Sequence, residues 1–200
     1  MNWINQIGAS LIAGAVLLAQ GGDPGNSQVE FFKEEITMTV TDSTSSISGV
    51  YYFRNNTEKD KPFSVVFPFY VDAVSHYPHE IRAYTVNDGD TLIIEPARLE
   101  DRNVIRLRIP MKPKEVTIWH LDYSQRIDGS HARYILTSTR AWGKPLEQAL
   151  YRFVIPTDFE IIDIWPKIDK ARRVKPNLEL WSEKTNFMPS RDMEIFWQRK

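Results

Sequence analysis

From residue 29 onward, apolar and polar positions in this chain alternate one for one instead of recurring at three- and four-residue spacing. That is the period of a pleated strand with one side-chain set on each face. The densest stretch is residues 47–70, ISGVYYFRNNTEKDKPFSVVFPFY. Ile47, Gly49, Tyr51 and Phe53 alternate with Ser48, Val50, Tyr52 and Arg54, and a second run follows at residues 63–70. The charged, Asn- and Pro-containing residues 55–62 between them read as a surface turn, so the pattern predicts an antiparallel hairpin with a large aromatic load.

The rest of the chain repeats the theme. Ile36, Met38 and Val40 alternate with Thr37, Thr39 and Thr41, ahead of a turn cluster at residues 42–46. Residues 71–80 are irregular. Strands follow at residues 81–86 and 91–95, with Asn87-Asp88-Gly89-Asp90 as the tight turn between them. Ile105, Leu107 and Ile109 face inward against Arg106 and Arg108, and Pro110 and Pro113 close that strand because proline cannot donate to a ladder. A strand over 115–124 is joined by Asp128-Gly129, a two-residue hairpin signal, to one over 131–139. Further strands are predicted over 151–156, 159–165, 178–182 and 193–198, with prolines at 156, 166, 176 and 189 as punctuation. Turn signals every 8 to 12 residues or so predict an all-β, antiparallel, immunoglobulin-like sandwich over residues 29–200. Residues 139–143 are a candidate seam, either between two sheets or between two packed sub-domains.

Residues 1–28 do not share this pattern. Residues 7–19, IGASLIAGAVLLA, are uninterruptedly apolar or small, and a Gly-rich polar spacer follows. The stretch reads as a signal peptide with a small-residue cleavage site near Ala19-Gln20-Gly21. Alternatively it is a membrane anchor over residues 3–19, with Ala9/Ala13 and Ser10/Gly14 as a small-residue helix-packing face. No Lys or Arg precedes it. A buried soluble helix is a third reading, behind both; the first two place the remainder outside the cytoplasm: periplasmic, at the cell surface or secreted.

Composition narrows the function. With 42% hydrophobic and 12% aromatic residues, the chain can fill a core, which excludes disorder. A net charge of −1 provides no global field for nucleic acid. The basic run at residues 167–175, KIDKARRVK, has five cations and one acid and reads as a solvated loop. The absence of cysteine excludes disulfides, thiolate metal sites and thiol nucleophiles.

Several motifs resemble a group of bacterial exported β-sandwich proteins of unassigned function. They are Y-x-F-R-N at residues 51–55, F-P-F at 67–69, W-H-x-x-Y at 119–123, and Y-I-L-T with W-G-x-P-L within 134–146. The resemblance implies an exported sandwich and brings no active site with it.

Candidate chemistry is sparse. His76 and His79 with Asp72 could approach a divalent cation, but surface-loop histidines explain them as well. The Asn87–Asp90 oxygens suit calcium, though a tight turn needs the same residues. Ser130-His131 beside Asp128 has the composition of a hydrolytic triad, but adjacent strand residues point to opposite faces. No metal and no cofactor is therefore expected, and the chain is read as non-enzymatic. Trp142, in a Trp-Gly-Lys-Pro loop, is the one candidate ligand-binding residue, as a stacking platform or interface anchor; otherwise it caps the sandwich. The function expected is an exported binding or assembly module, a subunit of a cell-surface or membrane-anchored complex with a protein partner. The alternative is a carbohydrate-binding module that uses exposed aromatic residues.

Overall fold

A computed structural model describes residues 28–60, 62–87 and 90–200. The expected leader therefore lies outside the described residues except for Gln28, as do Asp88 and Gly89 of the 87–90 turn. The strands are β1 (Val29–Val40), β2 (Thr44–Asn55), β3 (Phe63–Pro68), β4 (Glu80–Asn87), β5 (Asp90–Ile94), β6 (Ala97–Leu99), β7 (Val104–Ile109), β8 (Val116–Arg126), β9 (His131–Tyr134), β10 (Leu146–Pro156), β11 (Phe159–Trp165), β12 (Lys170–Val174), β13 (Asn177–Phe187) and β14 (Met193–Arg199). Among the described residues, no helix is long and apolar enough to cross a membrane.

The protein is all-β, as the alternation predicts. Its strands form one eight-stranded sheet, β12-β13-β10-β1-β2-β8-β4-β5, and two three-stranded sheets, β11-β14-β9 and β3-β7-β6. The antiparallel, immunoglobulin-like expectation is corrected here on two counts. The large sheet is mixed, because β1 and β10 run parallel in register from Lys33↔Gln148 to Thr39↔Val154. The two layers are also unequal, a single broad sheet facing two small ones. A 3-10 turn over Thr137–Trp142 returns the chain to the sheet at the end where β1 begins, and Lys144 pairs with Glu30 there. The chain then has to run beside β1 in the same direction.

Two predicted hairpins are absent for a related reason. β2 pairs with β1 and β8, whereas β3 pairs with β7 in the other layer. Likewise β8 stays in the large sheet while β9 pairs with β14. Residues 55–60 and 127–130 thus belong to crossings between layers. Asn55 holds the first crossing: its Nδ2 donates to the carbonyls of Lys59 (3.1 Å) and Lys112 (2.8 Å), and its Oδ1 accepts from the amide and hydroxyl of Thr57. The basic run is also not a loop, since residues 170–174 form β12, exposed throughout, at one edge of the large sheet.

The core lies between the layers. Tyr51 and Trp119 from the large sheet stack with centroids 4.6 Å apart, and Phe67 of β3 meets both edge-on. The Tyr51 hydroxyl bonds the Tyr134 hydroxyl of β9 at 2.9 Å, tying the large sheet to the second small one. Leu180, Tyr151 and Phe153 on one side and Leu121 and Ala83 on the other belong to the same buried cluster.

Candidate functional site

Because β-strand side chains alternate, burying Ile47, Tyr51, Trp119, Leu121 and Tyr151 against the small sheets turns their neighbours to the opposite face. The pairings set these neighbours in rows across the sheet. One row runs Trp181 (β13), Arg152 (β10), Thr37 (β1), Ser48 (β2), Asp122 (β8) and Arg82 (β4). The next runs Glu179, Val154, Thr39, Ser46, Ser124 and Glu80. All twelve are exposed or half-buried.

The middle of these rows is low and the flanks are tall. Thr37, Thr39, Ser46, Ser48 and Ser124 floor a groove of about 700 Å³, and Glu80, Arg82 and Arg98 line it on the β4 side. Beyond the groove's lining, on the β10 side of the same rows, Arg152 lies over the Trp181 ring and pairs with Glu179 at 2.6 Å. Four strand spacings separate Arg152 from Arg82, roughly 19 Å at about 4.8 Å each. The floor is pre-ordered: the Ser48 hydroxyl donates to Asp122 Oδ1 at 2.7 Å, and the Ser46 and Ser124 hydroxyls bond at 2.9 Å.

Beside the groove the face becomes aromatic and charged. His120 stacks on Tyr84 with centroids 4.7 Å apart and planes 3° from parallel, and burial lowers its pKa, favouring the neutral imidazole. Burial opposes ionisation of Glu35, but hydrogen bonds from Lys33 and Tyr52 outweigh it and hold the carboxylate below its ordinary value. Chemically the groove offers hydroxyls, the Glu80 and Asp122 carboxylates and guanidinium groups to a polar ligand. Ser48 is bonded to Asp122, while the nearest imidazole on this face, His120, is committed to Tyr84. Ser48 thus meets a carboxylate and not the imidazole of a Ser-His pair.

The residues singled out in the sequence lie elsewhere. Trp142 is half-buried at one end of the sandwich, with ring centroids 5.7, 5.4 and 5.3 Å from Phe31, Phe53 and Phe63. His76 Nε2 is 2.5 Å from Asp128 and 2.9 Å from Arg126. Asp72 accepts from the amides of Val74 and Ser75 and from the Tyr70 hydroxyl. His79 is exposed beside Glu80. His131 stacks on Phe196 at 4.0 Å, so Ser130, His131 and Asp128 do not converge. Among the described residues, no group of three His, Asp or Glu is placed to hold a metal ion.

The groove residues went unnoticed in the sequence because isolated Ser and Thr at outward strand positions carry no motif. Trp181, flanked by inward Leu180 and Ser182, is the one that alternation could have marked as facing out.

No protein-family model matches the sequence, and no curated protein matches it either. The fold is similar to solved structures. A putative nutrient binding protein from Legionella pneumophila superposes with a TM-score of 0.68 at 12% identity, covering 85% of this chain and 67% of that one. An M1 zinc metallopeptidase from Deinococcus radiodurans superposes with a TM-score of 0.50 at 9% identity, covering 78% of this chain and 39% of the peptidase. At these identities the likeness is one of fold. It places the chain among β-rich proteins, the first of them described as a binding protein.

Proposed function

We propose that the protein is a non-catalytic, exported binding and assembly module, a subunit of a cell-surface or membrane-anchored complex, and that the open face of its eight-stranded sheet meets the partner. The observation behind this reading is the groove: a pre-ordered polar floor between tall flanks, on the layer that the small sheets leave uncovered. The apolar leader supports export or anchoring, with residues 3–19 in the membrane if they are retained. Substituting Ser48→Arg and Thr39→Arg fills the groove from outward positions without touching the core. An envelope protein is expected to co-purify with the unaltered protein, and both variants should fold normally and lose it. Retention of that partner by both would overturn the reading.

A second reading, carbohydrate binding, draws on the same groove, because hydroxyls, carboxylates and guanidinium groups suit a polyhydroxylated ligand. Two half-buried rings are available to it: Trp142 at the end of the sandwich and Trp181 in the groove's own row. A glycan array probed with the protein and with Trp181→Ala distinguishes the readings. Binding that depends on Trp181 selects the saccharide, and a blank array selects the protein partner.

A further inference from the structure

The two edges of the large sheet are built differently. β12 carries Lys170, Arg172 and Arg173 among its five residues, all exposed, which is how natural sheets repel a further strand. β5, at the other edge, has the sequence Asp90-Thr91-Leu92-Ile93-Ile94, with no cation and no proline. Leu92 and Ile93 are 53% and 49% exposed, and Val86 on the neighbouring strand is 38% exposed.

The direction of each backbone group in β5 follows from pairings further in. Thr41 N–H donates to the Thr44 carbonyl at 2.9 Å, and Asn55 N–H to the Glu115 carbonyl at 2.9 Å. Hydrogen-bonded pairs alternate along an antiparallel ladder, so even-numbered β2 residues face β1 and odd-numbered ones face β8. Carried across β8 and β4 by their registers, the alternation turns the backbone groups of Asp90, Leu92 and Ile94 toward β4. Those of Thr91 and Ile93 point off the sheet.

We propose that β5 is a self-complementary edge through which two copies of this chain pair into one continuous sheet. An antiparallel second copy, related by a two-fold axis at Leu92, sets Thr91 against the partner's Ile93 and Ile93 against the partner's Thr91. Each of these pairs exchanges both its N–H···O bonds. Leu92 then meets the partner's Leu92 in the closer, non-hydrogen-bonded pair at the axis, and the exposed Leu92 and Ile93 side chains gain neighbours on both faces. Asp90 lies opposite the partner's Ile94, well away from its own symmetry mate. β12 cannot take the same role, because pairing it with itself would bring its cations together.

The test is the mass of the full chain in mild detergent, by sedimentation equilibrium, with backbone amide exchange as a second readout. The expected species is twice the 23.3 kDa chain, with the Thr91 and Ile93 amides protected although they lie at a sheet edge. Thr91→Pro removes an outward N–H and no bond to β4, and Leu92→Lys places a charge on the axis. Both should halve the mass and deprotect Ile93, while Arg172→Glu on the opposite edge should leave the dimer intact. If Thr91→Pro perturbs the fold, Leu92→Lys decides alone. A monomer at high concentration would overturn the proposal, as would a larger species that neither β5 substitution dissociates.

Discussion

The Tyr151 hydroxyl donates to Glu34 Oε1 across 2.6 Å inside the core. This joins the two parallel strands, β1 and β10, by a side-chain bond beside their backbone ladder. Burial pushes the Glu34 carboxyl up to about 7, with the Tyr151 bond only partly opposing it, and burial likewise pushes the Tyr151 phenol up. The folded protein therefore keeps a proton on Glu34 that the unfolded chain, titrating near 4.5, has already lost. A raised acid pKa means that stability falls as pH rises between these two values and is level above the upper one. At about 1.4 kcal/mol per unit, the loss is about 3 kcal/mol. Glu34→Gln, which preserves shape and can still accept from Tyr151, should match the unaltered protein near pH 4 and exceed it by that order at pH 8. Urea unfolding across this range checks it, and parallel curves for the two proteins would count against it.

Gly49 is the one position in β2 where the core depends on the absence of a side chain. The Tyr51 ring folds back over it, with Cζ 2.6 Å and Cε2 2.7 Å from where a Cβ would stand. That course carries the Tyr51 hydroxyl to Tyr134. Gly49→Ala must displace the ring and break the bond between layers, an overpacking cost of about 1–3 kcal/mol. At Gly129 the nearest atoms to an added Cβ are Val74 carbons at 3.5 Å, ordinary contact, so Gly129→Ala serves as the nearly neutral control. Denaturation midpoints of the pair decide the matter.

Asn55, fully buried, bonds Thr57 and Lys59 of the crossing from β2 to β3 and Lys112 of the connection from β7 to β8. Asn55→Ala removes one donor each from the Lys59 and Lys112 carbonyls, which keep only the Thr57 hydroxyl at 3.1 Å and the Glu115 amide at 3.5 Å, and the expected loss is about 1 kcal/mol for each bond removed. The expected signature is local. Amides near residues 57–60 should exchange faster, with the β1–β2 ladder unchanged, and a uniform rise throughout the protein would contradict it.

The strands were legible from alternation because side-chain period depends only on local backbone geometry, and most predicted runs are strands in the structure. Partners were not. Nothing in residues 47–70 distinguishes a hairpin from two strands in different layers, because Tyr51 and Phe67 face the same core in either case. Asn55, the residue that redirects the chain, looks like any turn asparagine. The parallel β1–β10 pair joins residues more than a hundred positions apart, and the only local hint, Glu34 at an inward position, resembles an ordinary exposed acid until its burial is known. The groove was invisible for the opposite reason: it is made of small polar residues that become a surface only when β1, β2, β8 and β4 lie side by side.

Trp142 provides the test that separates framework from binding surface. Its ring closes the end of the sandwich over Phe31, Phe53 and Phe63, and the Gly143 that follows adopts a left-handed φ of 71° to end the 3-10 turn. Burying part of a tryptophan contributes less than a fully enclosed one, so Trp142→Ala should lower stability by about 2 kcal/mol, below the usual range for buried aromatics. Trp181 sits on the opposite side of the large sheet, between Arg152 and Lys170. Trp181→Ala opens no core cavity and should change stability by less than about 1 kcal/mol while weakening any ligand held in the groove. Unfolding curves and ligand titrations on both variants should therefore give reciprocal results, stability lost in one and binding lost in the other. If Trp142→Ala proved stable but unable to bind, the working surface would lie at the end of the sandwich and not on its open face.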